Sequence, residues 1–405
     1  MHHRRGHVRE AKPGFIEFSF NGSIANIPLV AQFSVPAKGV TAIFGPPGCG
    51  KTAVARCIAG VQCLPGGFCA IDGEIWQDQT TFRPPHLRPV AYVFQRPILF
   101  SHFSVKRTLL FNASKSKPTL IDFDGVVELL ALTPLLERSP SHLSGAERQR
   151  LALGSALLAQ PRLLLLDDPL TLLDRSAKCE ILTFLDLMRE KLPLPMIYVS
   201  HDMADIERFA DHLVMMKDGI VTAAGPLNVV QSAPALAARG DAAVCLDTVV
   251  GGYDGRYGLV ILRLKGARLL IPGAPLRPGA QLRLRVAADD VSIACEPPRA
   301  SSMLNVFPAR IKASLPFDDA EVTLVLALET GRSGVPLLAR IPRRSFDALR
   351  LSNGTDVFAE VARALPVVVP QRLLVRPSTL AGGVRQTSAD TRNEQQSEYD
   401  SERQS

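Results

Sequence analysis

The stretch Gly45-Pro46-Pro47-Gly48-Cys49-Gly50-Lys51-Thr52 follows an apolar run, Val40-Thr41-Ala42-Ile43-Phe44, and leads into Ala53-Val54-Ala55-Arg56-Cys57-Ile58-Ala59, which reads as a helix. Strand, G-x-x-x-x-G-K-[ST] loop and helix in that order form a cradle for nucleotide phosphates. The glycines let backbone N–H groups approach an anion, and the helix adds the positive end of its dipole. In such a loop Lys51 reaches the β- and γ-phosphates and the Thr52 hydroxyl ligates Mg²⁺. A Gly/Pro-rich turn with a chance lysine is the competing reading, and the flanking strand and helix argue against it.

Upstream of the loop, Ile16, Phe18 and Phe20 alternate with polar residues, as do Ile27, Leu29, Ala31 and Phe33, so both segments read as strands. Phe20 is the candidate aromatic to stack on adenine, with a core phenylalanine as the alternative. Downstream, Val90-Ala91-Tyr92-Val93-Phe94 reads as a strand ending at Gln95, whose amide is placed to reach Mg²⁺ or an attacking water, because ligands gather at strand ends in α/β sheets. Residues 104–140 read as helical, with Leu129, Leu130, Leu132, Leu135 and Leu136 on an apolar stripe. In Leu143-Ser144-Gly145-Ala146-Glu147-Arg148-Gln149-Arg150 a Ser-Gly turn opens a helix, which offers a hydroxyl and free N–H groups to an anion, or simply an N-cap. Leu163-Leu164-Leu165-Leu166 reads as a strand buried on both faces that delivers Asp167 and Asp168 at its tip. One carboxylate can hold Mg²⁺ through water and the other can orient or deprotonate a nucleophilic water. Met196-Ile197-Tyr198-Val199 ends at Ser200-His201-Asp202, which brings His201 to the same edge.

Composition narrows the class. The 405 residues suffice for two or three domains, and hydrophobic content of 46% is ordinary for a globular chain. No apolar run reaches the ~18–20 residues of a membrane helix, and Met1–His7 has no apolar stretch behind it, so a cytosolic protein is expected. The seven cysteines are scattered, with no CxxC pair. The net charge of +7 is spread along the chain without a basic run or interleaved aromatics, so no nucleic-acid partner is expected.

Taken in order, GPPGCGKT, Gln95, LSGAERQR, LLLLDDP, Asp174 and His201 resemble the ATPase subunits of ABC transporters over about residues 15–235. The resemblance implies ATP and Mg²⁺ as cofactors. It also implies that Gly45 through Thr52 bind the phosphates and that Thr52, Gln95 and Asp167 serve the metal. Asp168, with His201 and Gln95, serves catalysis, while Ser144 and Gly145 cap the γ-phosphate bound by a second copy. Asp174 belongs to the loop that links the two sites. Two residues depart from the family pattern: Asp168 stands where glutamate is usual, one methylene shorter, and Ala146 stands where glycine is usual.

Residues 236–379 lose helical periodicity and carry strand-like runs at Leu259–Leu264, Leu282–Val286, Val291–Ala294, Val322–Leu328, Leu337–Ile341 and Val357–Val361, which read as small OB-type β-barrels. Ser301-Ser302-Met303-Leu304-Asn305-Val306 resembles the start of a Mop or TOBE domain, found in molybdate importer ATPases. Ser301, Ser302 and Asn305 are in place to hold an oxyanion, and a barrel that only props the dimer is the alternative.

The fold class expected is α/β: a P-loop NTPase ABC-type ATPase domain with a helical subdomain, followed by a small all-β OB-like barrel domain. The division expected is a flexible leader at 1–14, the ATPase domain at 15–235, a β segment or linker at 236–299, a Mop/TOBE-like domain at 300–380 and a disordered tail at 381–405. The resemblance implies the energy-coupling subunit of a molybdate importer, tungstate being the related oxyanion. Two copies would pair on integral membrane permease subunits at the cytoplasmic face of the inner membrane, fed by a substrate-binding protein. The alternatives are an importer ATPase for sulfate or thiosulfate, iron or sugar, a soluble ABC ATPase of translation or repair, and an oxyanion-responsive regulatory protein.

Overall fold

The computed structural model describes residues 11–24, 27–113, 120–299, 301–329 and 334–368. The leader through residue 10 and the tail at 381–405 lie outside the described residues.

The first half is one mixed sheet with helices on both faces. Its strands are β1 (Phe15–Ile24), β2 (Ile27–Pro36), β3 (Val40–Phe44), β4 (Phe68–Ile71), β5 (Glu74–Gln77), β6 (Val90–Val93), β7 (Leu163–Asp167), β8 (Met196–Ser200), β9 (His212–Lys217) and β10 (Ile220–Pro226). Their spatial order is β5-β4-β1-β2-β10-β9-β3-β8-β7-β6. From β9 to β6 the pairing is parallel, and β1, β2, β4 and β5 pair antiparallel. The helices are α1 (Lys51–Ile58), α2 (Val105–Asn112), α3 (Phe123–Leu129), α4 (Gly145–Leu158), α5 (Arg175–Lys191), α6 (Met203–Phe209), α7 (Leu227–Gln231) and α8 (Pro234–Ala237).

The leucine strand shows why the centre is parallel and doubly covered. Side chains alternate across a strand. Accordingly Leu164 and Leu166 enter the apolar layer formed with α4, α5 and the helical subdomain, whereas Leu163 and Leu165 enter the layer beneath α1 and the antiparallel strands. All five residues of β3, β7 and β8 are buried. The expected helical run over 104–140 is interrupted: α2 and α3 are short, and the leucine stripe continues through 3₁₀ turns at Thr133–Leu135 and Pro140–His142, both carrying a proline in the first turn.

The second half holds two five-stranded antiparallel sheets. The first contains β11 (Ala243–Asp254), β12 (Leu259–Leu264), β13 (Ala267–Pro272) and β14 (Gln281–Ala287). The second contains β15 (Val291–Ala294), β16 (Val306–Pro316), β17 (Glu321–Leu328), β18 (Val335–Pro342) and β19 (Asp356–Val361), with the short helix α9 (Arg343–Ala348) between the last two. A last strand, β20 (Leu365–Pro366), returns to pair with β14 of the first sheet. One apolar core runs from Ala237 to Ala364 through both sheets. The segment 236–299 is therefore half of this unit and not a linker to it. Asn305 is 7% exposed, and its side chain donates to the Leu270 carbonyl (2.9 Å) and accepts from the Leu270 N–H (2.7 Å). That amide stands in for a strand partner of β13, so it is occupied by structure and not open to an oxyanion. Ser301 and Ser302 are exposed, and Ser301 accepts from the Met303 N–H.

Arginines of β14 join the halves. The Arg283 guanidinium donates to the carbonyls of Glu207 (3.2 Å) and Ala210 (2.5 Å) at the end of α6, and to Asp247 (2.7 Å). Arg285 pairs with Glu207 at 3.0 Å, and Gln231 bridges Glu207 to the Cys245 N–H. Burial pushes the Glu207 carboxyl above its ordinary range, and Arg285 opposes that shift. Replacing Arg283 with leucine leaves the last carbonyls of α6 without their donor. The substitution is expected to destabilise the chain by about 1–3 kcal/mol, read as a lower urea midpoint by circular dichroism, with nucleotide affinity retained.

Candidate functional site

The strand register gathers the site. Phe44 lies opposite Ser200, Asp167 opposite Val199, and Val93 opposite Leu166. The loop after β3, the carboxylates ending β7, His201 after β8 and Gln95 after β6 therefore emerge at one sheet edge, the carboxyl ends of the parallel strands. Gln95 is exposed there, two residues beyond Val93.

The loop from Gly45 through Pro46, Pro47, Gly48 and Cys49 to Gly50 is held against β9. A Cβ added at Gly45 would stand 2.2 Å from the Met216 carbonyl oxygen, so only glycine fits. Gly50 has φ 97°, which turns the chain into α1 without a side-chain cap. The first-turn N–H groups of that helix are thus available to an anion. The Lys51 ammonium donates to the Gly45 (2.8 Å) and Pro46 (2.9 Å) carbonyls across the loop, and the residue is 6% exposed. Cys49 is buried with its sulfur 4.0 Å from that ammonium, a small filler of the loop.

Asp167 is 7% exposed and both its oxygens are engaged: Thr52 Oγ1 donates to Oδ1 at 3.0 Å and the Tyr92 hydroxyl to Oδ2 at 2.7 Å. Burial and the adjacent carboxylate push the Tyr92 phenol above its ordinary range, so it stays protonated and donates. Asp168 has φ 48° and one oxygen that meets both Thr171 Oγ1 (3.1 Å) and His201 Nδ1 (3.2 Å). Among the described residues no group of three His, Cys, Asp or Glu side chains could hold a metal alone. The Thr52 hydroxyl beside one carboxylate is instead a sparse, all-oxygen set, which suits Mg²⁺ bound mainly through nucleotide phosphates and water.

Ser144 caps α4. Its hydroxyl accepts from the Glu147 N–H (3.2 Å) while Glu147 accepts from the Ser144 N–H (2.7 Å), a reciprocal capping box. The Ser144 side chain and the Glu147 carboxylate are therefore held together at the start of the helix, beside the N–H of Gly145. Ala146 is buried, so its methyl group packs inward. Asp174 caps α5 by accepting from the Ala177 N–H (2.9 Å). Phe20 corrects the adenine expectation. It is 1% exposed and its ring centroid is 6.0 Å from that of Phe18, so neither face is open to a base. The sequence reading missed Tyr92 and Thr171. A phenol next to the last residue of a strand that borders the carboxylate strand was the available signal for Tyr92.

Comparison with known proteins agrees with this geometry. A family model described as "ABC transporter" matches residues 30–171, and one described as "TOBE domain" matches residues 301–364. The Molybdenum import ATP-binding protein ModC 1 of Bradyrhizobium diazoefficiens is 79% identical over 355 residues, covering 88% of this chain and 96% of that protein. ModC of Rhodopseudomonas palustris strain HaA2 is 50% identical over 377 residues, covering 92% of this chain and all of that protein. ModC of Rhodobacter capsulatus is 43% identical over 358 residues, covering 88% and 98%. The chain belongs to this family of ABC transporter ATP-binding proteins.

Asp168→Asn keeps the shape of the side chain and removes its carboxylate, the expected base. Steady-state ATPase is expected to fall by about 10²-fold or more, with ATP affinity within a few-fold of wild type. Asp168→Glu advances the carboxylate by one methylene and is expected to raise turnover, and an unchanged rate would show that the short side chain imposes no cost.

Proposed function

We propose that this chain is the ATP-hydrolysing, energy-coupling subunit of an importer for molybdate. One observation carries the reading: the 79% identity to a molybdenum import protein extends over 355 residues, too many to lie within the ATPase half alone. It therefore includes the β domain, where importers of one build would differ. The three relatives named above are all described as molybdenum import proteins.

In the proposed cycle ATP lies along the loop 45–52. Lys51 exchanges its two carbonyl partners for β- and γ-phosphate oxygens, and the first-turn N–H groups of α1 meet the same anion. Mg²⁺ bound with the nucleotide would neutralise charge developing on the phosphate oxygens, and Thr52, Asp167 and Gln95 would hold it. Asp168 takes the proton of the attacking water while His201, tied to the same carboxylate, faces the γ-phosphate. Ser144 and Gly145 open a helix of their own and are proposed to complete the site of a second copy, in a homodimer. Asp174, at the start of α5, is proposed to bridge the two sites.

Work on a membrane partner needs a surface near the nucleotide. Phe94, Ile98, Phe100, Leu110 and Phe111 are exposed beside Gln95, and Ile98 is 88% exposed. A groove of about 240 Å³ runs between this patch and Ser155 and Ala159 of the α4 segment. A large exposed apolar patch marks an interaction site, and this one is proposed to receive the permease. Among the described residues no helix is long and apolar enough to cross a membrane. The proposed location is the cytoplasmic face of the inner membrane, with an external binding protein selecting the oxyanion.

The test is ATPase activity of the transporter reconstituted with its permease and binding protein, compared with molybdate, tungstate and sulfate. Stimulation by molybdate and tungstate but not sulfate is expected. Equal rates with all three, or stimulation by sulfate alone, would overturn the assignment.

A further inference from the structure

We infer that Tyr92 is a positioning residue for the metal-side carboxylate: its hydroxyl fixes the plane of Asp167 so that Thr52 and Asp167 face the nucleotide's Mg²⁺ together. The inference rests on the proposed nucleotide reading of the loop and assigns a role to a strand residue that the loop chemistry alone does not require.

An aspartate carboxylate turns about a soft, roughly two-fold torsion. With only the Thr52 hydroxyl on Oδ1, the Asp167 group could swing about that single bond. The second donor stops it. Tyr92 lies on β6 opposite Leu165 of β7, and its hydroxyl meets Oδ2 at 2.7 Å, away from the oxygen that Thr52 holds at 3.0 Å. An ionised carboxylate only accepts, so the phenol donates. Tyr92 is itself held in place: its ring centroid lies 4.4 Å from that of Phe94. The phosphate-loop helix and strand β6 thus hold Asp167 from two sides, through Thr52 and through Tyr92. A carboxylate kept from turning offers the ion the same oxygen and the same bound water in each cycle.

Tyr92→Phe keeps the ring and removes only the bond. The measurement is calorimetric binding of the β,γ-imido analogue of ATP to the full chain, titrated with Mg²⁺ and repeated in EDTA. In wild type Mg²⁺ tightens binding. In the variant the Mg²⁺ concentration giving half of that gain is expected to rise about 3- to 10-fold, with affinity in EDTA within twofold of wild type. Tyr92→Met, which lacks hydroxyl and ring alike, should show the same metal-specific loss and serves if the phenylalanine variant folds poorly. An unchanged Mg²⁺ midpoint in either folded variant would overturn the inference, as would an equal loss in EDTA, which marks a purely structural role. A wild-type chain whose binding ignores Mg²⁺ would overturn the nucleotide-site reading itself, a different result from a variant that matches wild type.

Discussion

Burial of β7 on both faces is the constraint on which the rest depends. Leu164 and Leu166 need one apolar layer and Leu163 and Leu165 another, so the strand is stable only at the centre of a covered sheet. A strand so placed must have parallel neighbours joined by helical crossovers, and every crossover begins at the same edge. Asp167 and Asp168 reach that edge because the leucines end there. The phosphate loop, His201 and Gln95 reach it because β3, β8 and β6 run the same way. The bond from Thr52 to Asp167 then ties the loop helix to the carboxylate strand at the one level where both can touch a phosphate.

The parts of the site that follow from local chemistry were legible in the sequence. The glycine loop, the paired aspartates and the histidine after a buried strand each need few residues, close together in the chain. Phe20 shows how a sound pattern can be read for the wrong purpose. The alternation of Ile16, Phe18 and Phe20 that marks β1 also places all three on one face, and that face is the core. Tyr92 was hidden for the opposite reason. Nothing near it in the chain signals a partner, because Asp167 lies 75 residues away and is reached only through strand pairing. In the second half β11 was overlooked, since Asp247 and the pair Gly251-Gly252 disguise a long strand. A register irregularity between Val250 and Gly252 accommodates the glycines. The single core across 237–364 was illegible for a related reason: it depends on β18 of the second sheet packing against β11 and β14 of the first.

The two halves are not independent bodies on a tether. Arg283 and Arg285 grip the end of α6 and Glu207 within it. The start of that helix follows His201 directly. Lys178 of α5 pairs with both Asp202 and Asp205 there, and Asp205 also accepts from the buried Tyr198. Burial pushes the Asp205 carboxyl above its ordinary range, and the Lys178 ammonium beside it opposes that shift. The helix that begins beside His201 therefore ends in the grip of the β domain. A cavity of about 710 Å³ opens where these elements meet.

The short carboxylate can be understood in the same terms. Asp168 occupies left-handed backbone at φ 48°, a region that aspartate and asparagine visit more readily than longer side chains do. Its carboxylate is fixed by Thr171 and His201 at 3.1 and 3.2 Å. Aspartate thus combines a low backbone cost with two hydrogen bonds that hold its single reach in one direction. Glutamate would reach further toward an attacking water, but with one more rotatable bond and without the local preference for this backbone. Reach and fixed direction are thus opposed at this position, and the two hydrogen bonds of Asp168 supply the second.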